Sequence, residues 1–259
     1  MRLLAIDTST AAIAVAVHDG TRVLERESVL DPRGHAEHLA PSIARVLARL
    51  DLPPSAVTHV VVGTGPGPFT GLRVGLVTAV TFAHALGIEV GGLCSLDVLA
   101  RQVVGSCAAN GPGARGEFLV ATDARRKEVY WAAYRRTGPH RRCERADRLG
   151  PDAGFVRVTG PHVDRPGDLG AVNVTGLSAP LSSLPVAGRG GLLYPAAFGP
   201  ALEVLDADAG ALADLAVDVL RAEGGLPPPV PRYLRRPDAR PLSGQLPAPA
   251  PGVSSPGVR

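Results

Sequence analysis

In the first 105 residues, five apolar strand-like runs are interleaved with three segments of helical period, an order that leaves few ways to fold. Residues 2–6 form the first run, Ala12 to Val17 the second, and Arg22 to Val29 the third, beyond an Asp19-Gly20 turn. Asp-Gly between apolar runs is a hairpin signal, so these three predict an antiparallel meander. Asp31 followed by Pro32 reads as an N-cap with proline at the first helical position. Leu39, Ile43, Val46, Leu47 and Leu50 then recur at helical spacing, predicting a helix over 32–50 that bends near Pro41. A strand at 57–62, a helix at 72–86 stopped by Gly87, a strand at 88–94 and a helix at 96–104 capped by Ser95 complete the series. Strands alternating with covering helices in this order predict an α/β domain over 1–105.

The remainder is less regular. Gly105 to Gly116, with Asn110-Gly111-Pro112-Gly113, reads as a turn-rich linker, 106–116. Glu117 to Asp123 and Glu128 to Arg135 are two strand-like runs that open a second, reduced domain over 117–236. After residue 150 the signal thins until Leu212, Leu215, Ala216, Val219 and Leu220 restore a helical period, closed by Pro227-Pro228-Pro229. Six prolines from Pro237 onward predict a disordered tail, 237–259, and no internal repeat is visible.

Charge and cysteine narrow the function classes. Net charge is only +3, but residues 111–148 carry +5 and 231–259 carry +4. Such basic segments can meet RNA phosphates through counterion release, or form solvated faces. Cys94, Cys107 and Cys143 are odd in number and lack C-x-x-C spacing, which argues against a disulfide framework and a structural zinc site and fits a reducing cytoplasm. Near the N-terminus, Asp7-Thr8-Ser9-Thr10 interrupts an apolar run that would otherwise imitate a signal peptide. The longest apolar stretch, Val74 to Gly92, contains His84 and Glu89 and breaks at Gly87, so no membrane span is expected.

Gly63-Thr64-Gly65-Pro66-Gly67-Pro68-Phe69-Thr70-Gly71-Leu72-Arg73 is the most informative segment. A glycine-rich loop between a strand and a helix is a generic anion cradle. Yet the Gly-Lys-Ser/Thr ending of a phosphate-binding loop is absent, and Pro66 and Pro68 remove two N–H donors. A rigid structural or docking loop is the competing reading. Asp7-Thr8-Ser9-Thr10 can orient magnesium and phosphate in an actin-like or sugar-kinase-like site, or simply form a capped turn. His35-x-x-His38 can present two imidazoles on one side of a helix, with Asp31 or Glu37 completing a metal site, or be two solvated histidines. Glu117 to Tyr134 gathers the single Trp and two of the four Tyr beside arginines, either to stack on bases or to form the second domain's core.

Four collinear motifs carry a resemblance. Leu4-Ala5-Ile6-Asp7-Thr8-Ser9-Thr10, the Gly-Pro-Gly-Pro-Phe-Thr-Gly-Leu-Arg loop, Asp123-Ala124-Arg125 with Glu128-Val129-Tyr130, and Pro231-Arg232-Tyr233-Leu234-Arg235 together resemble the TsaB (YeaZ) family over residues 2 to about 236. The resemblance implies an actin-like, Hsp70-like, sugar-kinase-like (ASKHA, ribonuclease H-like) fold of two related domains, the second reduced. It also implies a non-catalytic subunit of the tRNA threonylcarbamoyladenosine (t6A) machinery. Its expected partners are the catalytic paralogue TsaD, which modifies N6 of adenosine 37, and the ATPase TsaE, with a homodimer left open when the chain is alone. Contact with tRNA is then indirect or weak.

On that basis the expected partner interface is Leu39, Ile43, Val46 and Leu47 on one helix with Arg73, Val77 and Val80 on the next. Asp7, Thr8, Gly65, Gly67, Thr70 and Gly71 form at most a vestigial nucleotide site, and no catalytic residue, metal or cofactor is expected. The catalytic paralogue's His-x-x-x-His metal motif has no counterpart in Gly91 to Asp97. Within the family the loop reads Gly-Pro-Gly-Ser-Phe-Thr-Gly, and Pro68 here replaces the serine, removing a hydroxyl and an N–H. The alternative on the same fold is an ATP-dependent small-molecule phosphotransferase using Asp7 and the glycine loop.

Overall fold

The computed structural model of the chain describes residues 1–106, 116–137 and 154–235. The expected linker, except its two ends, and the expected tail lie outside the described residues, as do Cys107 and Cys143.

The first sheet contains β1 (Leu3–Asp7), β2 (Ala12–His18), β3 (Val23–Leu30), β4 (His59–Gly63) and β5 (Glu89–Leu93) in the order β3-β2-β1-β4-β5. β1, β2 and β3 pair antiparallel, while β1, β4 and β5 pair parallel. The central strands are apolar throughout because both faces are covered. Leu4 and Ile6 join Ile13, Val15, Val60 and Val62 on one face, whereas Leu3 and Ala5 join Ala14, Ala16 and Val61 on the other. The first face is covered by α1 (His35–Arg49) and α2 (Phe69–Leu86). Gly87 ends α2 in the left-handed conformation (φ 65°) that glycine adopts without steric cost.

Helix starts differ from expectation, and α2 begins at Phe69 rather than at Leu72. α1 begins at His35, not at Pro32: the Asp31 carboxylate accepts from the backbone N–H groups of Arg33 and Gly34, closing a separate turn. In α3 (Ser95–Gly105) the first-turn residue Ser95 makes no cap, because its hydroxyl is committed to Asp7.

The second sheet holds β6 (Glu117–Asp123), β7 (Val129–Arg136), β8 (Phe155–Asp164) and β9 (Val186–Ala187) in the order β8-β7-β6-β9. One face, with Phe118, Val120, Ala132 and Tyr134, shares a core with α3 and with α5 (Ala209–Glu223). The opposite face is covered by short turns and one-turn helices: Leu119, Ala121 and Trp131 pack on Leu169, Leu181, Leu184 and Phe198. Asp208 caps α5 by accepting from the Ala211 N–H at 2.9 Å, and Gly224 (φ 74°) ends it.

α5 lies within the span 117–236 assigned to the second domain and its helix, and its Leu212, Ala213, Leu215 and Ala216 fill the face of the first sheet formed by Leu3, Ala5, Ala14 and Ala16. α3 and α5 therefore form a layer between the two sheets. The chain then returns across the first sheet: the Gly92 N–H donates to Pro227 O at 2.8 Å and the Arg232 N–H to Thr64 O at 2.9 Å.

Candidate functional site

The β1–β2 turn and the glycine-rich loop meet face to face at the ends of β1 and β4. Asp7 is fully buried; its Oδ1 accepts from the Ser9 N–H (2.8 Å) and hydroxyl (2.7 Å), and its Oδ2 from the Ser95 hydroxyl (2.7 Å). Ser95 Oγ in turn accepts from the Gly65 N–H at 3.1 Å. Burial raises the Asp7 carboxyl above its ordinary range, outweighing the hydrogen bonds from Ser9 and Ser95 that lower it. Thr8 donates its hydroxyl to Gly71 O at 2.8 Å.

The glycines are explained by this contact. A Cβ on Gly63 would lie 1.9 Å from Asp7 Oδ2, and one on Gly67 would lie 2.3 Å from the Ser9 carbonyl oxygen. Gly71 approaches Thr8 O in the same way. Only residues without side chains allow the two loops to touch. Asp7, Thr8, Gly65, Gly67 and Gly71 thus lie together but buried, with Thr8 bonded to Gly71, Asp7 to Ser9 and Ser95, and Gly65 to Ser95, while Thr70 lies on the exposed first turn of α2. The rigid-loop reading describes this loop better than the phosphate-cradle reading.

Beside it, a cleft of about 220 Å³ opens between the two sheets, bounded by Ser9, Thr10, His35, Arg125, Arg189 and Asp206 among others. Arg189 is held bidentately by Asp206 at 2.6–3.0 Å, and Arg125 pairs with Asp123 at 3.2 Å. Each cation in the cleft is already neutralised, and the volume is below the roughly 300–1,000 Å³ of ordinary small-molecule pockets. Arg189 and Asp206 carry no motif by which sequence reasoning could have found them.

The two helix histidines part company. His35 is buried with Nε2 3.1 Å from Thr10 O, whereas His38 Nε2 lies 3.3 Å from Asp31 Oδ2. Among the described residues no group of three or more His, Cys, Asp or Glu side chains is placed to hold a metal ion. Cys94 is a free, buried thiol pushed up to about 11 by burial, so it is not a reactive thiolate. The hairpin aromatics are core: Trp131 is buried with Nε1–H donating to Asp164 at 2.8 Å, and Tyr134 is buried with its hydroxyl 2.8 Å from Asp97.

The expected partner interface divides. Leu39, Ile43, Val46 and Leu47 are at most 6% exposed because they cover the chain's own sheet, so their assignment to a partner surface is corrected. The sheet needs a covering layer, and the apolar stripe of α1 is that layer. α2 is different. Leu72, Leu76, Ala79 and Ala83 face the sheet, but Val77 (64%) and Val80 (42%) stand exposed on the outer side with Arg73. By length and composition α2 could cross a membrane, yet its inner face is occupied by the core. At its N-terminal end Phe69, Arg73 and Tyr233 cluster on the surface.

Comparison with known proteins agrees with this architecture. The family model "TsaD: tRNA N6-adenosine threonylcarbamoyltransferase" matches residues 30–169. An uncharacterized Mycobacterium tuberculosis protein is 39% identical over 93% of this chain and 95% of its own length. The tRNA threonylcarbamoyladenosine biosynthesis protein TsaB of Escherichia coli is 36% identical over 52% of this chain and 56% of its own length. The chain thus spans about half the length of that relative, and 56% of a Mycobacterium leprae protein at 38% identity. The solved structure of YeaZ from Pseudomonas aeruginosa superposes with a TM-score of 0.69 at 29% identity, covering 90% of this chain and 99% of that one. A two-sheet chain of this topology, with this glycine loop and these relatives, belongs to the family described as TsaD, tRNA N6-adenosine threonylcarbamoyltransferase, and is TsaB/YeaZ-like within it.

Proposed function

We propose that the chain is a non-catalytic subunit in the biosynthesis of tRNA threonylcarbamoyladenosine, activating and stabilising a TsaD-like catalytic paralogue in the cytoplasm. The observation that carries the reading is the outer face of α2, where Val77 and Val80 remain exposed although the opposite face of the same helix is buried. Exposed apolar side chains in a row on a rigid helix gain most by meeting another helix. Arg73 then lies at the rim of that face. A TsaE-like ATPase would join through the paralogue, tRNA would be met through it, and the same face would serve a homodimer when the paralogue is absent.

A phosphotransferase on this fold would need Asp7 free to orient magnesium. Its two oxygens instead accept from Ser9 and Ser95, and the adjoining cleft has its arginines paired. The subunit reading is therefore favoured. Co-expression with the TsaD-like paralogue of the same organism tests it: the two chains should elute as one species on size exclusion. Separate elution of two folded proteins at micromolar concentration would contradict it.

A further inference from the structure

Where α2 meets the returning C-terminal segment, two aromatic rings and an arginine form an exposed cluster. Phe69 is 36% and Tyr233 42% exposed, with ring centroids 5.1 Å apart. The Arg73 guanidinium carbon sits 3.6 Å from the Phe69 ring centroid, and Nε–H donates to the Tyr233 hydroxyl at 3.0 Å. Rings of this size gain from being covered, and a guanidinium laid on a ring and tied by one N–H keeps its plane and its remaining donors in place.

The charge around the cluster is unbalanced. Among the described residues Arg73 makes no ion pair, while the carboxylates of this region are engaged: Glu128 by Arg235, and Asp97 by Tyr134 and Arg157 and through the charge of Arg232. The backbone beneath is fixed. The Arg232 N–H donates to Thr64 O, the Gly92 N–H to Pro227 O, and Arg235 to Ala124 O, so Tyr233 is held between anchors on the first sheet and on the β6–β7 turn. A protein surface would more naturally pair this guanidinium with a carboxylate. Exposed rings beside a guanidinium that no carboxylate holds are instead the combination that takes a base by stacking and its phosphate by hydrogen bonding.

We propose that Phe69, Arg73 and Tyr233 form a stacking site for an unpaired nucleotide of single-stranded RNA. This goes beyond the subunit reading, in which RNA is met through the partner, and its failure leaves that reading standing.

The test is fluorescence anisotropy of the purified chain with a labelled single-stranded RNA of about 15 nucleotides and with the same sequence as a duplex. The single strand should bind more tightly than the duplex. Tyr233→Ala should weaken it about 5-fold or more, the loss of one stacked base, and Tyr233→Phe should stay within about 2-fold of wild type. Arg73→Ala should weaken binding and flatten the slope of log affinity against log salt by about 0.7, one phosphate contact on a single strand. Because Arg73 is exposed, that variant tests the site even where Tyr233→Ala perturbs the returning C-terminal segment. The proposal is overturned by wild-type binding weaker than about 0.1 mM, the weak end of nonspecific association. Unchanged affinity in both Ala variants overturns it too, as does loss of the catalytic paralogue with RNA affinity retained, the signature of a protein hot spot.

Discussion

Asp7 is a carboxylate with no exposed surface, caged by Ser9 and Ser95. Burial raises its folded pKa above the unfolded 3.8, so its protonated form favours the fold. That contribution is complete below the unfolded value and is lost as pH rises through the folded one. Asp7→Asn keeps an acceptor for Ser9 and removes the ionisation. Thermal melts between about pH 4 and 7 should therefore show wild type losing stability relative to the variant as pH rises; a constant gap would contradict the assignment. Gly63→Ala is a steric counterpart. Its Cβ would be 1.9 Å from Asp7 Oδ2, and we expect a loss of about 1–3 kcal/mol in urea unfolding, from overpacking against the buried, hydrogen-bonded side chains of Asp7 and Ser95.

At the scale of elements, α1 and α2 look alike in sequence and differ in what they cover. Apolar spacing shows which side chains share a face, but not whether that face meets the chain's own sheet or another protein. Leu39, Ile43, Val46 and Leu47 illustrate the ambiguity, since the demand of the first sheet for a covering layer consumes them. Val46→Asp should consequently unfold the protein, with about 3 kcal/mol or more lost to a buried unpaired charge. Val77→Asp, on an exposed position, should leave the melting temperature nearly unchanged and abolish co-elution with the TsaD-like paralogue. A Val77→Asp variant that still co-elutes would remove α2 from the interface.

β1, β2 and β4 were legible for a physical reason: burial on both faces makes them continuous apolar runs. β8 was not, because Phe155–Asp164 is half-exposed, alternates with polar residues and is broken by Gly160-Pro161, where its register against β7 shifts. The loop site was legible as residues brought together and illegible as chemistry. Close approach and phosphate binding both call for glycine, and only the coordinates distinguish them.

For the whole molecule, the decisive feature is that α3 and α5 lie between the two sheets and share one core with both. The sheet boundaries seen in sequence at residue 105 and beyond are thus not boundaries of stability. Calorimetry should record a single cooperative unfolding transition, and two separable transitions would contradict a shared core. α5 escaped this placement in sequence because its stripe of Leu212, Leu215 and Ala216 shows which side chains share a face and not what that face meets. The chain's return through Pro227 to Arg232 brings Tyr233 to Phe69 and Arg73, a cluster that no local pattern announces, since its members are separated by 160 residues between Arg73 and Tyr233. Membership of the t6A machinery through the face of α2 is open to nucleoside mass spectrometry of bulk tRNA from cells depleted of this protein. Threonylcarbamoyladenosine should be lost, and restored by the wild-type chain and not by Val77→Asp; an unchanged level of the modification after depletion would contradict that membership.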